Sequence, residues 1–120
     1  MILECGSKVL VSHRRLFESD QSRYFIGVVE GYEHGVARVS GHTWTRESYR
    51  GTVCRKNGIR TKIIALASGT VIVYQLPTGV NMEALVFEHE GTRMYLRDGG
   101  TFEMDLTEGH LQPSEARRSA

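Results

Sequence analysis

The chain has 120 residues, of which 40% are hydrophobic, 15 are Lys or Arg and 14 are Asp or Glu. This composition predicts one globular domain and excludes a membrane helix, because no apolar run approaches roughly 18 residues. Residues 1–4 lack the pattern of a signal peptide, so we expect a cytoplasmic protein without a membrane partner. Cys5 and Cys54 have neither CxxC spacing nor a neighbouring histidine, which favours reduced structural thiols.

The net charge of +1 conceals two halves of opposite charge. Residues 1–62 hold 11 basic and 6 acidic residues, whereas residues 63–120 hold 4 basic and 8 acidic residues. Seven basic residues between positions 38 and 62 face a single acid, Glu47. Such an asymmetry bears on the partners of a protein and not on its fold.

Short runs rich in β-branched and aromatic residues, separated by glycines, follow one another along the chain and predict strands. No segment keeps an apolar stripe at helical spacing over three turns. The predicted strands cover residues 8–11, 24–29, 36–39, 61–66, 70–76, 84–87, 93–96 and 102–106.

In the first half, we predict strands near 7–12, 23–32 and 36–43, with a long polar excursion between the first two. A three-residue loop at 33–35 would pair Tyr32 with Val36 and Val29 with Val39, which keeps paired residues on one face. One strand, a long excursion and then a tight meander is similar in layout to SH3-like small barrels, including the Sm and KOW types.

The excursion carries a basic patch, His13, Arg14 and Arg15, with Arg23 at its end. Alternation along a strand would send successive members to opposite faces, which weakens the cluster as a site. We interpret this segment as a solubilising loop, with Phe17 packed back onto the core.

Residues 44–62 combine aromatic and basic side chains with Asn57-Gly58, a strong signal for a two-residue hairpin turn. This turn would place Arg55 opposite Arg60, and like charges across a ladder are destabilising unless solvent or an anion intervenes. A basic hairpin of this kind could follow phosphates and stack a base, although a solvated hairpin whose aromatics close the core is the favoured interpretation. The candidate residues for nucleic-acid or anion binding are Trp44, Arg46, Tyr49, Arg50, Arg55, Lys56, Arg60 and Lys62.

In the second half, Val71 to Tyr74 is continuously apolar, which predicts a central strand covered on both faces. A two-residue loop at 90–91 and a three-residue loop at 98–100 then predict a meander over residues 83–106. In this register Phe87 pairs with Met94 and Leu96 pairs with Phe102. The predicted apolar face consists of Leu85, Phe87, Met94, Leu96, Phe102 and Met104, and the opposite face places Glu88, Arg93 and Asp105 side by side.

The sequence lacks the motifs of the common catalytic and cofactor sites. None of the five histidines shows metal-ligand spacing, and there is no GxSxG, P-loop or dinucleotide fingerprint. We therefore predict no catalytic residue, no metal and no cofactor.

The predicted fold is all-β, a small SH3-like barrel or sandwich of seven to nine short antiparallel strands with a C-terminal three-stranded meander. We expect one compact domain over residues 1–106, followed by a tail at 107–120. The domain would contain a barrel-like first half (1–43), a basic hairpin (44–62) and a second half with the meander (63–106).

Three functions fit this organisation. The first is a non-catalytic interaction or assembly module, which would bind a protein partner or a second copy through its oppositely charged halves. The second is binding of single-stranded RNA or DNA through the 44–62 hairpin. The third is an enzyme or small-ligand binder whose site is assembled across the fold.

Overall fold

The computed structural model describes residues 3–14, 23–46 and 52–107. The predicted packing of Phe17 and all but the first residue of the predicted tail lie outside these ranges. The strands of the described ranges are β1 (Lys8–His13), β2 (Arg23–Glu33), β3 (Val36–Arg46), β4 (Val53–Arg55), β5 (Arg60–Ala65), β6 (Val71–Gln75), β7 (Val86–Glu90), β8 (Arg93–Arg97) and β9 (Glu103–Asp105). A 3-10 helix spans Met82–Ala84, and no helix in the described residues is long enough to cross a membrane.

The prediction of an all-β fold is confirmed, and the strands form two open antiparallel sheets. The larger sheet has the order β4-β3-β2-β1-β6, with β5 also paired to β3. The smaller sheet is the predicted C-terminal meander, in the order β7-β8-β9. The edge of β3 that faces away from β2 therefore pairs with two short strands, β4 and β5, one after the other along its length.

One face of the larger sheet, which we call the inner face, forms a core from strands that are far apart in the sheet. Ile64 of β5 is buried in this core, and Val71 and Val73 of β6 pack against it, although β5 and β6 lie at opposite edges. The sheet must therefore roll so that its edges approach one another. The buried members of the inner core are Leu3, Val9, Val11, Phe25, Val29, Ala37, Val39 and Ile64.

Two glycines paired across β2 and β3 permit a close approach within the rolled sheet. Gly27 lies opposite Gly41. A Cβ at Gly27 would overlap the carbonyl oxygen of Ser40, and one at Gly41 would overlap that of Ile26. Because the obstacles are backbone atoms, no side-chain rotation would relieve the overlap.

The opposite face of the larger sheet, the outer face, packs against the meander. Phe87 of β7 lies between Tyr24 and Trp44, with ring centroids 5.0 and 5.2 Å away. Leu96 of β8 is fully buried in the same core. The predicted apolar face of the meander is confirmed, since all six of its residues belong to this core or pack against it.

The β2–β3 hairpin differs from the predicted register at its tip. Its loop is the two-residue pair His34-Gly35, with positive φ values of 48° and 78°, as a type I′ turn requires. Tyr32 therefore pairs with Ala37, and its predicted pairing with Val36 is wrong. A bulge between Val29 and Gly31 then restores the predicted pairing of Val29 with Val39.

Both registers of the meander are shifted by two residues from the prediction. Phe87 pairs with Leu96, and Leu96 pairs with Met104, so side chains keep their predicted faces while their partners change. The second loop is longer than predicted because Asp98 organises it: Gly100 N donates to Asp98 Oδ1 at 2.8 Å, and Phe102 N donates at 3.3 Å. The hydrogen bond from the Asn81 backbone N–H lowers the pKa of Asp98 most, and those from Gly100 and Phe102 lower it further.

The predicted hairpin around Asn57-Gly58 is wrong. β4 and β5 do not pair with each other: Arg55 lies opposite Trp44, and Arg60 lies opposite Gly41. Residues 56–59 form an irregular excursion along the edge of β3, anchored by a 2.7 Å hydrogen bond from Lys56 N to Thr43 O. Both strands thus pair with the long edge of β3, and Arg55 and Arg60 do not lie opposite each other.

The prediction that the strand at Val71 to Tyr74 is central is also wrong. In the described residues β6 pairs only with β1, and Ile72 is 45% exposed. The run is apolar because Val71 and Val73 face the inner core while Tyr74 packs on the outer one.

Candidate anion-binding site

Four basic side chains extend the inner face at one end of the larger sheet. Because side chains alternate, His13 follows the buried Val11 on β1, and Arg23 precedes the buried Phe25 on β2. Arg60 and Lys62 precede the buried Ile64 on β5 by four and two residues. We call His13, Arg23, Arg60 and Lys62 the cationic end.

Lys62 lies over the aromatic floor of this end. Its Nζ is 4.7 Å from the centroid of the Phe25 ring, and Phe25 itself is fully buried. An ammonium group over an aromatic face is attracted by the ring quadrupole. Lys62 is thus held at the rim of the inner core, while Arg23 and Arg60 are exposed.

The groups of the cationic end act on one another electrostatically. Burial lowers the pKa of Lys62, and the charges of Arg23 and Arg60 lower it further. Burial also lowers the pKa of His13, with smaller effects from Lys62 and Arg23. Among the described residues, no acid forms a salt bridge with any of the four. Within the part of the chain that the structure describes, the site is therefore positive and has no acidic partner of its own.

His13 adds a second observation at the same place. Its Nε2 atom is buried and has no hydrogen-bond partner within the described chain. A buried polar atom without a partner costs free energy, and most such atoms in native proteins are satisfied. The orphaned nitrogen therefore marks a position where a further hydrogen-bonding group would be stabilising.

Four basic residues elsewhere in the described structure have acidic partners, whereas Lys8, Arg14, Arg46 and Lys56 form no salt bridge there. Arg38 contacts Glu30 at 3.8 Å, and Arg93 contacts Asp105 at 2.8 Å. Arg97 is surrounded by three carboxylates, those of Glu88, Glu90 and Glu103. The hydrogen bond to Glu103, followed by that to Glu90, raises the pKa of Arg97.

The predicted site residues separate into different environments. Trp44 is 7% exposed and packs on Phe87, so its ring belongs to the core. Arg46 and Arg55 lie on the outer face, where Arg55 contacts Glu83 at 3.8 Å. Tyr49 and Arg50 lie outside the described residues.

The three remaining predicted site residues also lie in two different places. Lys56 is exposed in the excursion between β4 and β5, whereas Arg60 and Lys62 join the cationic end. The sequence interpretation left His13 and Arg23 in a solubilising loop and so missed them as site residues. Their signal was available in the alternation itself, because each lies two residues from a strongly apolar inner position, Val11 or Phe25.

Other chemistry has less support in the described chain. It contains no group of three or more His, Cys, Asp or Glu residues that could hold a metal ion. A shallow groove of about 560 Å³ runs along the charged face of the meander beside Arg97 and Phe102, but its charged residues already pair with one another. Comparison with protein-family models, curated proteins and solved structures finds no match.

Proposed function

We propose that the chain is a non-catalytic module that binds single-stranded nucleic acid through its phosphate groups at the cationic end. The observation that carries this proposal is the convergence of Arg23, Arg60 and Lys62 without an acidic partner in the described residues. Phosphates supply the missing negative charge, and contacts to them provide most of the sequence-independent affinity for nucleic acids.

The geometry favours contact with phosphates over stacking on bases. Trp44 and Phe25 are both buried, so neither presents an open face to a base. Phosphate contacts position a nucleic acid without reading its sequence. A single strand suits this site because its flexible backbone can turn one phosphate towards Lys62 at the rim of the inner face.

Fluorescence anisotropy with a labelled single-stranded oligonucleotide tests the proposal. We expect binding at about 50 mM salt and an affinity that falls as the salt concentration rises, because each phosphate that is neutralised releases counterions. Arg60→Gln should weaken binding, whereas the matched variant Arg93→Gln should not, because Arg93 is paired with Asp105. Absence of binding at low salt, or equal losses in the two variants, would contradict the proposal.

Self-association is the second candidate function, supported by the separation of charge in the fold. The charged face of the meander gathers Glu88, Glu90 and Glu103 around Arg97, and the first-half cation that reaches an acid of the second half in the described chain is Arg55. The two charged regions could therefore meet between copies. Sedimentation distinguishes the candidates: association that weakens with salt, in a chain that binds no oligonucleotide, supports assembly.

We also propose that the larger sheet is an SH3-like barrel that stays open. In its support, β1, β2, β3 and β5 follow one another as neighbours and β6 returns to pair with β1. An experimental structure in which this order or the rolled inner core is absent would contradict it. The proposed architecture implies no function by itself, and binding would depend on the cationic end alone.

A further inference from the structure

The cationic end places a buried imidazole nitrogen and a half-buried ammonium group on the same face of the larger sheet. His13 Nε2 is buried without a partner, and Lys62 is held over Phe25 on the same face. We propose that this position is a seat for a single phosphate group, in which His13 Nε2 and Lys62 Nζ donate hydrogen bonds to one oxyanion and Arg23 and Arg60 close over it. The seat rests on the proposed function, because the phosphate would be one of those in a bound nucleic acid.

The chemistry of the surrounding groups selects an anion that only accepts hydrogen bonds. An ammonium and two guanidinium groups offer donors and no acceptors. A bound cation would be repelled by Lys62, whose pKa is already lowered by burial and then by the charges of Arg23 and Arg60. A water molecule could accept one bond but would leave the positive charge uncompensated. A phosphate oxygen satisfies the donors and compensates the charge together, through charge-assisted hydrogen bonds.

The position of the seat explains why it would hold one phosphate and not a length of backbone. His13 and Lys62 lie at the rim of the inner core, to which both β1 and β5 contribute buried side chains. Arg46 and Lys56, which also have no acidic partner in the described chain, lie on the outer face and in the excursion between β4 and β5. They are therefore separate from the seat and could contact only other parts of the polymer.

The seat also predicts that anion binding depends on pH. The strands packed against His13 contribute Arg23 from β2 and Lys62 from β5, while its partner on β6 is the uncharged Val71. These cations and burial lower the pKa of His13, and a bound dianion acts in the opposite direction. Binding should therefore tighten as the pH falls and His13 takes up a proton.

Sulfate is the suitable first probe, because it keeps two negative charges across the range in which histidine titrates. In the full chain, NMR titration should show sulfate shifting the ring signals of His13 and the Nζ-proximal signals of Lys62. We expect sulfate affinity to rise by about tenfold from pH 8 to pH 5.5, which corresponds to a shift of one unit in the pKa of His13. His13→Gln should abolish this pH dependence, whereas His89→Gln, an exposed histidine of β7, should preserve it.

Lys62→Met and Lys62→Arg are a second pair of variants, which distinguish a loss of sulfate binding from a loss of folding. Lys62→Met keeps the apolar stem over Phe25 and should lower sulfate affinity at least about tenfold, as loss of a charge-assisted hydrogen bond implies. Lys62→Arg restores a charged donor and should recover binding. If Lys62→Met binds sulfate normally while its NMR spectrum stays native, the seat is overturned.

Comparison of inorganic phosphate with oligonucleotides separates the seat from the proposed function. Binding of sulfate and phosphate without any oligonucleotide binding supports the seat and overturns the nucleic-acid proposal. Binding of oligonucleotide without either free anion, and with His13 unperturbed, overturns the seat and leaves the function standing. Tighter binding of a 5′-phosphorylated strand than of its unphosphorylated form would assign the seat to a terminal phosphate, and equal binding would assign it to the internal backbone.

Discussion

The cationic end and the charged face of the meander both carry basic side chains on a sheet, but the charged groups around those side chains differ in sign. Arg97 of the meander contacts three glutamates, and its pKa is raised. Burial lowers the pKa of Lys62 in the cationic end, and the charges of its neighbours Arg23 and Arg60 lower it further. Among the described residues, the meander pairs its basic side chains with acids, whereas the cationic end does not.

This difference separates two kinds of charged surface that composition cannot distinguish. Compensated charges stabilise the fold to the extent that exposed ion pairs can. Cations without an acidic partner repel one another and lower the stability of the folded state. Such a loss of stability is expected at sites where a protein binds a ligand.

The largest effect is expected at the paired glycines of the rolled sheet. Gly27→Ala or Gly41→Ala would push a Cβ into the backbone of the neighbouring strand. We expect a loss of at least about 3 kcal/mol in the free energy of unfolding, or failure to fold. Urea denaturation followed by circular dichroism measures this, and Gly79→Ala is the control because a Cβ there would meet no atom within 4 Å. Native stability in Gly27→Ala would show that the strands do not approach as described.

Trp44→Ala should have the next largest effect. The ring is 7% exposed and lies 5.2 Å from Phe87, so its removal leaves a cavity between the two sheets. We expect a loss of about 3 kcal/mol or more. Trp44→Phe should recover much of this stability and bind oligonucleotides as the wild type does. If Trp44→Phe folds normally but loses binding, then Trp44 contacts the nucleic acid, as the sequence suggested.

Arg97→Met and Lys62→Met should change stability in opposite directions. Arg97→Met leaves three carboxylates together without their cation, so the protein should become less stable. Lys62→Met removes a positive charge from beside Arg23 and Arg60, and we expect a gain of about 0.5 kcal/mol or less because the site is partly solvated. Both differences should shrink in 1 M salt. Urea midpoints that move in the same direction would refute the contrast between the regions.

The smallest effect is expected from the titration of His13. Because burial and nearby cations lower its pKa in the folded state, the unfolded chain binds the proton more readily. Stability should therefore fall as the pH decreases through the unfolded value of about 6.5. His13→Gln should make the pH dependence between 8 and 5.5 less steep, and His89→Gln should leave it nearly as it is. An unchanged slope in His13→Gln would remove His13 from the cationic end as a titrating group.

The faces of the strands were predictable from the sequence, whereas many of their partners were not. Alternation alone placed Phe87, Leu96 and Met104 on the buried face of the meander. The register depended on Asp98, whose carboxylate accepts from Asn81 N, 17 residues earlier. Such a contact between distant segments leaves no local signal in the sequence.

The candidate site could be predicted only in part, because its residues also come together through contacts between distant segments of the chain. Arg60 and Lys62 were named from charge and spacing, but the strong turn signal of Asn57-Gly58 suggested the wrong partner strand. β4 and β5 pair with β3 instead of forming a hairpin with each other, because the long edge of β3 offers more backbone hydrogen bonds than a short hairpin does. The proximity of Lys62 to Phe25 requires the sheet to be rolled, and alternation does not reveal that curvature.

The position of Lys62 on β5 also bears on how the protein avoids aggregation. In the described chain β5 pairs only with β3, so its other edge presents unpaired backbone groups to which a foreign strand could add. Ile59 and Ile63 are exposed beside this edge. A charged side chain directed inward on an edge strand opposes such addition, because a second strand would have to bury the charge. We therefore expect Lys62 to oppose the addition of a second strand, so Lys62→Met would aggregate more readily even where it gains stability.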